Sequence, residues 1–398
     1  MFENILYHSE IINLLKEDIK SNKLPSSLLF YGDIYTGKLT AALELARVLS
    51  CEKKGEWTCK CPSCENHRVL NSPGTVLLGN HYFAEEIEAS ADVLRRKRNI
   101  TGQYQFIRAV RKLTRRFDKQ IWEGQENKLK GLDTELEKID LILEKIEPGI
   151  TLPNGKKLDK LLNDALKICK KIISYTGGDN VPIDHIRNIT FWSHMTYTGA
   201  AKVVIIEGAD LMGEASRNAL LKIIEEPPHS VYFILISTLK SKIIPTILSR
   251  IRSYNFRSRT DSEELTILGR IFKDDSGEYK NLRDYFMGMK GINLSILRQY
   301  ANKSFEILLN GEVLDIDDFS DLIEIINDTN VLKIFLEEML FLLKDKIPGN
   351  TVPGKSIPLH ILTRWNTLIH TTISNRTKFN QNTKLLFETL LYQMREVI

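Results

Sequence analysis

The apolar run Leu28 to Tyr31 ends at Gly32, and apolar residues return from Leu39 at Ala42, Leu43, Ala46 and Leu49. Strand, glycine turn and helix in that order constrain this chain more than any other feature. The turn, Gly32-Asp-Ile-Tyr-Thr36-Gly37-Lys38, has the GxxxxGK spacing of a phosphate-binding loop. Glycines let backbone amides converge on phosphate oxygens, a lysine adds charge, and a helix N-terminus favours an anion. A full motif continues with Ser or Thr to hold magnesium, but Leu39 stands there and the hydroxyl comes one place late, at Thr40. One helical step rotates a side chain by ~100°, which makes Thr40 an imperfect substitute. The same residues also suit a glycine turn that holds no nucleotide.

A phosphate site of this kind needs a second element, an apolar strand ending in acidic residues that hold magnesium and polarise water. Val203 to Ile206 ends in Glu207-Gly208. Glu207 can assist a metal ion or simply close the strand; Gly208 can polarise nothing, so hydrolysis in this chain's own site should be slow. Further strands are predicted at Thr75 to Leu78, Lys202 to Ile206 and Val231 to Ile236. Continuous apolar strands separated by helical pattern predict a parallel sheet covered on both faces. A helix from Gly213 to Glu226 is stopped by Pro227 and Pro228.

The rest of the chain is helical in pattern. Leu129, Leu132, Leu136, Ile139, Leu143 and Ile146 follow a heptad seam, and Leu158, Leu162, Ala165, Cys169 and Ile172 form a second stripe. These predict an antiparallel coiled-coil hairpin, part of an insertion at about 81–178 projecting from the sheet domain. Ten basic residues between Ala91 and Gln120 face only two acids there. They suit phosphate contact, with Tyr104 and Phe106 as stacking faces, a protein partner, or a solvated helix face. Overall, 55 basic and 51 acidic residues leave a formal charge of +4, too near neutral to announce nucleic-acid binding. Apolar residues make up 42% of 398, so several packed domains are expected, and disordered or fibrous readings are out. Nowhere do ~18 apolar residues run together, so a cytoplasmic protein with no membrane contact is expected. In a reducing compartment Cys51, Cys59, Cys61 and Cys64 suggest one tetrahedral zinc more than disulfides, free thiols being the alternative.

Asn218-Ala-Leu-Leu-Lys222, Glu225-Glu-Pro-Pro228 and Pro245-Thr-Ile-Leu-Ser249-Arg250 follow in one order. With the phosphate loop and cysteine cluster, they make the chain resemble the bacterial DNA polymerase III clamp-loader subunits of the AAA+ superfamily, the delta-prime and gamma/tau members. The resemblance covers about residues 1 to 79 and 180 to 256 well, and the C-terminal region more loosely. It implies an AAA+ domain over 1–256 with the zinc loop 51–64 and the insertion, a small helical lid over 257–303, and an all-α collar over 304–398.

In that family the serine and arginine, here Ser249 and Arg250, form an arginine finger acting in trans on a neighbour's γ-phosphate. The alternative for Arg250 is an ion pair within its own chain. Ile251 stands where the family usually has cysteine, and its zinc loop usually has two residues between the second and third cysteines, where this chain has one. Leu39, Glu207-Gly208, and Leu294 in place of a lid arginine depart together from the gamma type. The resemblance is therefore to delta-prime, a polymerase holoenzyme subunit whose own ATPase is weak or absent. Implied partners are other subunits of a hetero-oligomeric ring, the sliding clamp and, through the assembly, primer-template DNA. Competing readings are a working gamma/tau-type ATPase using Gly32, Thr36, Gly37, Lys38, Thr40 and Glu207 on ATP and magnesium, and a coiled-coil DNA-binding or scaffolding protein on a degenerate nucleotide fold.

Overall fold

The computed structural model describes residues 1–177, 180–313, 315–327, 329–345, 357–379 and 381–398. The end expected for the insertion near residue 178 lies outside them. Five parallel strands, β1 (Ser27–Tyr31), β2 (Thr75–Leu78), β3 (Lys202–Glu207), β4 (Val231–Ser237) and β5 (Arg252–Asn255), lie in the order β2-β3-β4-β1-β5. The four apolar strands stand where the sequence predicts them. The fifth, Arg-Ser-Tyr-Asn at a sheet edge, has no apolar run to announce it.

Strands β1, β3 and β4 are buried on both faces, as parallel crossover topology requires. Helices α1 (Ser9–Lys20) and α2 (Lys38–Leu49) contribute to the core on one face, which takes in Leu15, Leu28, Phe30, Leu43, Ile205 and Phe256. On the other face Leu29, Val204, Ile206, Leu220 and Phe233 pack with Ile186 and Ile189.

Helix α3 (Pro62–Arg68) precedes β2, and between β2 and β3 come α4 (Phe83–Lys97), α5 (Ile100–Thr114), α6 (Lys119–Trp122), α7 (Leu132–Glu144), α8 (Gly155–Ile173) and α9 (Ile183–His194). The heptad residues Leu132, Ile139, Leu143 and Ile146 are buried, but not in a hairpin standing alone. They share one core with Ile87 and Leu94 of α4, Phe106 and Val110 of α5, and Leu158, Leu162 and Ile172 of α8. The projecting coiled coil is thus corrected to a packed helical cluster. A 3.5-residue period identifies a buried face without naming what buries it.

The chain divides into two compact units, Met1–Phe286 and Met287–Ile398. The second has its own core, in which Trp365 stacks on Phe305 with centroids 5.6 Å apart and donates its indole N–H to Met394 O at 2.7 Å. The helix Leu294–Asn310 belongs to this unit, and Leu294 is buried in the core. Among the described residues no helix is long and apolar enough to cross a membrane.

Candidate functional site

The glycine turn Gly32 to Lys38 joins β1 to α2, the strand-turn-helix order its spacing predicts. Gly32 has φ +143°, and a Cβ there would lie 2.0 Å from Phe256 O, so only glycine fits. Gly37, at φ +88°, is the left-handed residue that opens α2. Lys38 turns back into the loop and donates to Gly32 O at 2.7 Å, to Thr36 Oγ1 at 3.1 Å and to Asp33 O. Burial lowers its pKa to about 8, against the pull of Asp33. Buried Thr36 donates to Asp33 O at 2.8 Å. Leu39, where a magnesium-holding hydroxyl would stand, is 5% exposed in the core, and Thr40 is half-buried one step on.

Two further groups close over this loop, and sequence reasoning missed both. Arg259 donates to Tyr35 O at 2.6 Å, and its guanidinium reaches 3.0 Å from the position a Cβ on Gly37 would take. His8 Nε2 lies 2.7 Å from Thr36 O. Tyr35 itself packs against Tyr82 and Phe286, with centroids 4.7 and 4.9 Å away.

Glu207 ends β3 as expected, but it is buried and engaged with the insertion. Its Oε1 lies 2.9 Å from His81 Nδ1, and its Oε2 accepts from Arg116. His81 Nε2 lies 3.1 Å from Glu86 Oε2, and Lys112 donates to Glu86 Oε1. Ionised carboxylates only accept, so a ring between two of them must carry both protons. The pKa directions agree. Burial alone would lower His81, yet Glu207 and Glu86 raise it overall. Burial would raise Glu86 and Glu207, yet Lys112 and His81 hold the first well below the usual range, and His81 and Arg116 lower the second. Arg116 also donates to Leu78 O. The acid that might assist a metal ion is thus held by internal cations.

The basic run around Arg116 is likewise mostly internal. Arg108 donates to His67 O and Arg68 O, both at 3.0 Å, and Arg111 to Val69 O at 2.8 Å. Arg115 donates to Ser72 O at 2.7 Å and Thr75 O at 2.6 Å. These guanidiniums bind the segment leading into β2, an edge strand whose free side needs covering. Phe106 is fully buried and Tyr104 half-buried, so the stacking role is withdrawn for Phe106.

Ser249 and Arg250 follow the short helix α11 (Pro245–Leu248), which lies after α10 (Glu214–Glu225) and β4, and both are exposed. Arg250 pairs with Glu225 of its own chain and donates to Thr246 O at 2.8 Å and Ser249 Oγ at 3.1 Å. Exposed pairs of this kind contribute ~0.2–1 kcal/mol, so the contact holds the side chain without committing it.

Cys51, Cys59, Cys61 and Cys64 are buried together, with all four Sγ atoms within 4.8 Å of one another. Sγ of Cys51 lies 3.7 Å from that of Cys59 and 4.0 Å from that of Cys61. A tetrahedron with metal–sulfur bonds of ~2.3 Å has sulfur–sulfur edges of about 3.8 Å, so the donor set fits a metal ion. Backbone amides of Lys53 and Gly55 donate to Cys51 Sγ at 3.4 and 3.3 Å, and Arg47 donates to Cys64 Sγ at 3.1 Å. Such donors stabilise thiolates. The one-residue spacing between Cys59 and Cys61 is accommodated because Cys61 is the N-cap of α3, with Pro62 as the first helical residue. Cys169 is a core residue of the helical insertion, as its stripe predicts.

A five-stranded parallel sheet, with a glycine turn after β1 and an acid ending β3, defines an α/β domain. A family model described as "DNA polymerase III, delta subunit" matches residues 7–130 and 142–260, more than half the chain. The chain belongs to that family, the clamp-loader AAA+ group its motifs resemble.

It is similar to DNA polymerase III subunit tau of Bacillus subtilis, at 28% identity over 220 residues, 46% of this chain and 38% of that one. It is also similar to DNA polymerase III subunit delta′ of Buchnera aphidicola subsp. Baizongia pistaciae, at 34% over 94 residues, 23% of this chain and 28% of that one. The chain therefore spans less than half of either relative. A crystal structure of a gamma-subunit-related protein of Thermotoga maritima overlaps 58% of this chain and 89% of its own, at 16% identity and a TM-score of 0.32.

Proposed function

We propose that the chain is a delta-prime-like subunit of a DNA polymerase III clamp loader. It presents Arg250, steadied by Ser249, to the triphosphate held by a neighbouring motor subunit, and so helps load the sliding clamp on primer-template DNA. The observation that carries this reading is an asymmetry within one domain. Arg250 is exposed and held by surface contacts to Glu225, Thr246 and Ser249, whereas Lys38, Arg259 and Glu207 are engaged with the chain's own atoms in buried or half-buried positions. A finger is worth ~10³–10⁵ in turnover, or about 4–7 kcal/mol, far more than the Glu225 contact it must exchange. Its own ATPase is weak or absent, because Leu39 is in the core and Glu207 has no open side for magnesium.

Within this reading residues 257–303 act as the lid and 304–398 as the collar joining other subunits. The four cysteines hold a structural zinc with no open coordination position. Metal analysis of freshly purified reduced protein should give one zinc per chain, and its removal should lower the melting temperature. No zinc would withdraw this part.

The test of the principal reading is reconstitution with motor subunits. Arg250→Ala should lower ATPase at the adjoining site ~10³-fold or more, leaving assembly intact; unchanged turnover would contradict it. The length of the tau alignment favours a second reading, a working gamma/tau-type ATPase. ATP turnover by the isolated chain that Lys38→Ala abolishes would establish it instead.

A further inference from the structure

The basic surface of this protein is not where the longest run of positive charge puts it. With the guanidiniums of α5 turned onto backbone carbonyls, a row of outward cations remains on one face of α8. Leu158, Leu162, Ala165, Cys169 and Ile172 form its buried face. At 100° per residue, Lys156, Lys160, Lys167, Lys170 and Lys171 fall within roughly 100° of arc directly opposite. All five are exposed. Only Lys171 has an ion-pair partner among the described residues, Glu135 at 3.4 Å. From the first to the last the rise is about 22 Å.

An ordinary solvated helix face mixes signs; this one does not. The acids of α8, Asp159 and Asp164, flank the arc and are half-buried, and Asp159 faces Arg95 at 3.9 Å. Arg95 also donates to Asn163 Oδ1, within the arc, at 2.7 Å. Arg98 extends the stripe past the helix start: its guanidinium lies 2.7 Å from where a Cβ on Gly155 would be. Five acidic residues of the insertion lie instead on α7, at Asp133, Glu135, Glu137, Asp140 and Glu144.

We propose that the α8 stripe, extended by Arg98, is a docking surface for the phosphate backbone of duplex DNA. Lysine ammoniums are hydrated point charges on flexible stems, suited to phosphates at a range of positions and not to base edges. The arc carries no aromatic residue, so it offers no platform for unstacked bases, which is what single-strand binding requires. The surface gives affinity without sequence preference. It goes beyond the arginine-finger reading and does not depend on it: DNA binding by α8 is expected even if Arg250→Ala leaves a partner's ATPase unchanged.

The test is fluorescence anisotropy of a labelled duplex with the full chain, from about 50 to 200 mM salt. The variant Lys156→Gln/Lys160→Gln/Lys167→Gln/Lys170→Gln keeps helix propensity and touches no core residue. Circular dichroism should show it folded. Its expected behaviour is at least tenfold weaker binding at low salt, with a log–log salt slope about 3–4 smaller, since each phosphate contact contributes ~0.9. Control substitutions Lys20→Gln/Lys23→Gln/Lys54→Gln/Lys242→Gln, equally exposed but elsewhere, should change affinity less than threefold. Equal loss in the two variants would overturn the proposal. So would tighter binding to single strands than to duplex, or no duplex binding while the same lysines are needed to retain a protein subunit.

Discussion

Helices α5 and α8 are both rich in positive charge, lie in one insertion and share one hydrophobic core, yet they use that charge in opposite directions. Arginine predominates on α5 and faces inward, where a planar fork bonds two carbonyls at once and is less strongly hydrated than an ammonium. Lysine predominates on α8 and faces water. The type of cation and the phase of the helix, more than the density of charge, decide which run joins parts of a protein and which remains available to a partner.

Arg116 carries the largest expected effect. Arg116→Met removes one side of a buried pair with Glu207, and thermal or urea unfolding should show ~3–5 kcal/mol of destabilisation. A loss under 1 kcal/mol would mean that the insertion is not tied to the sheet through that acid.

Next comes His81→Gln, which should cost about 1–3 kcal/mol, with a pH dependence of definite sign. The folded pKa of His81 is raised above 6.5, so its contribution is complete below that pH and disappears as pH rises through the folded value. Glu86 and Glu207 are lowered from 4.5, so theirs is complete above that pH and is lost in acid. The stability gap between wild type and His81→Gln should therefore narrow from pH 6 to pH 9; a widening gap would show that the ring is neutral in the fold.

Arg115→Lys keeps the charge but not the fork across Ser72 O and Thr75 O, and about 1 kcal/mol should be lost, measured by denaturation. Smallest of all, each single Lys→Gln change on the α8 stripe should stay within ~0.5 kcal/mol. A larger effect would mean that these lysines support the fold and are not free for a partner.

Much of the domain was legible because local chemistry dictates it. Gly32 and Gly37 mark the loop by the conformations only glycine adopts readily, and the apolar strands announce a two-faced parallel sheet. The close sequence spacing of the cysteines was enough to anticipate one four-sulfur cluster.

What escaped was the identity of partners. Arginine bonds to backbone carbonyls leave no signature in residue type, so Arg108, Arg111 and Arg115 read as surface charge. Their spacing of three and four residues, with Lys112 and Arg116 beside them, did place them on one side of a helix, the available hint of a common target. His81 and Arg259 stand 126 and 222 residues from Glu207 and Gly37, beyond the reach of any local pattern. The edge strand β5 was missed because its exposed residues are polar.

The turn Gly32 to Lys38 is satisfied by its own chain, whereas Arg250 lies exposed at the surface in contacts worth little. Equilibrium titration of the isolated protein with a fluorescent ATP analogue and magnesium tests that contrast directly. The expected result is no saturable binding up to millimolar nucleotide, with Lys38→Ala indistinguishable from wild type. Saturable binding that requires Lys38 would contradict it.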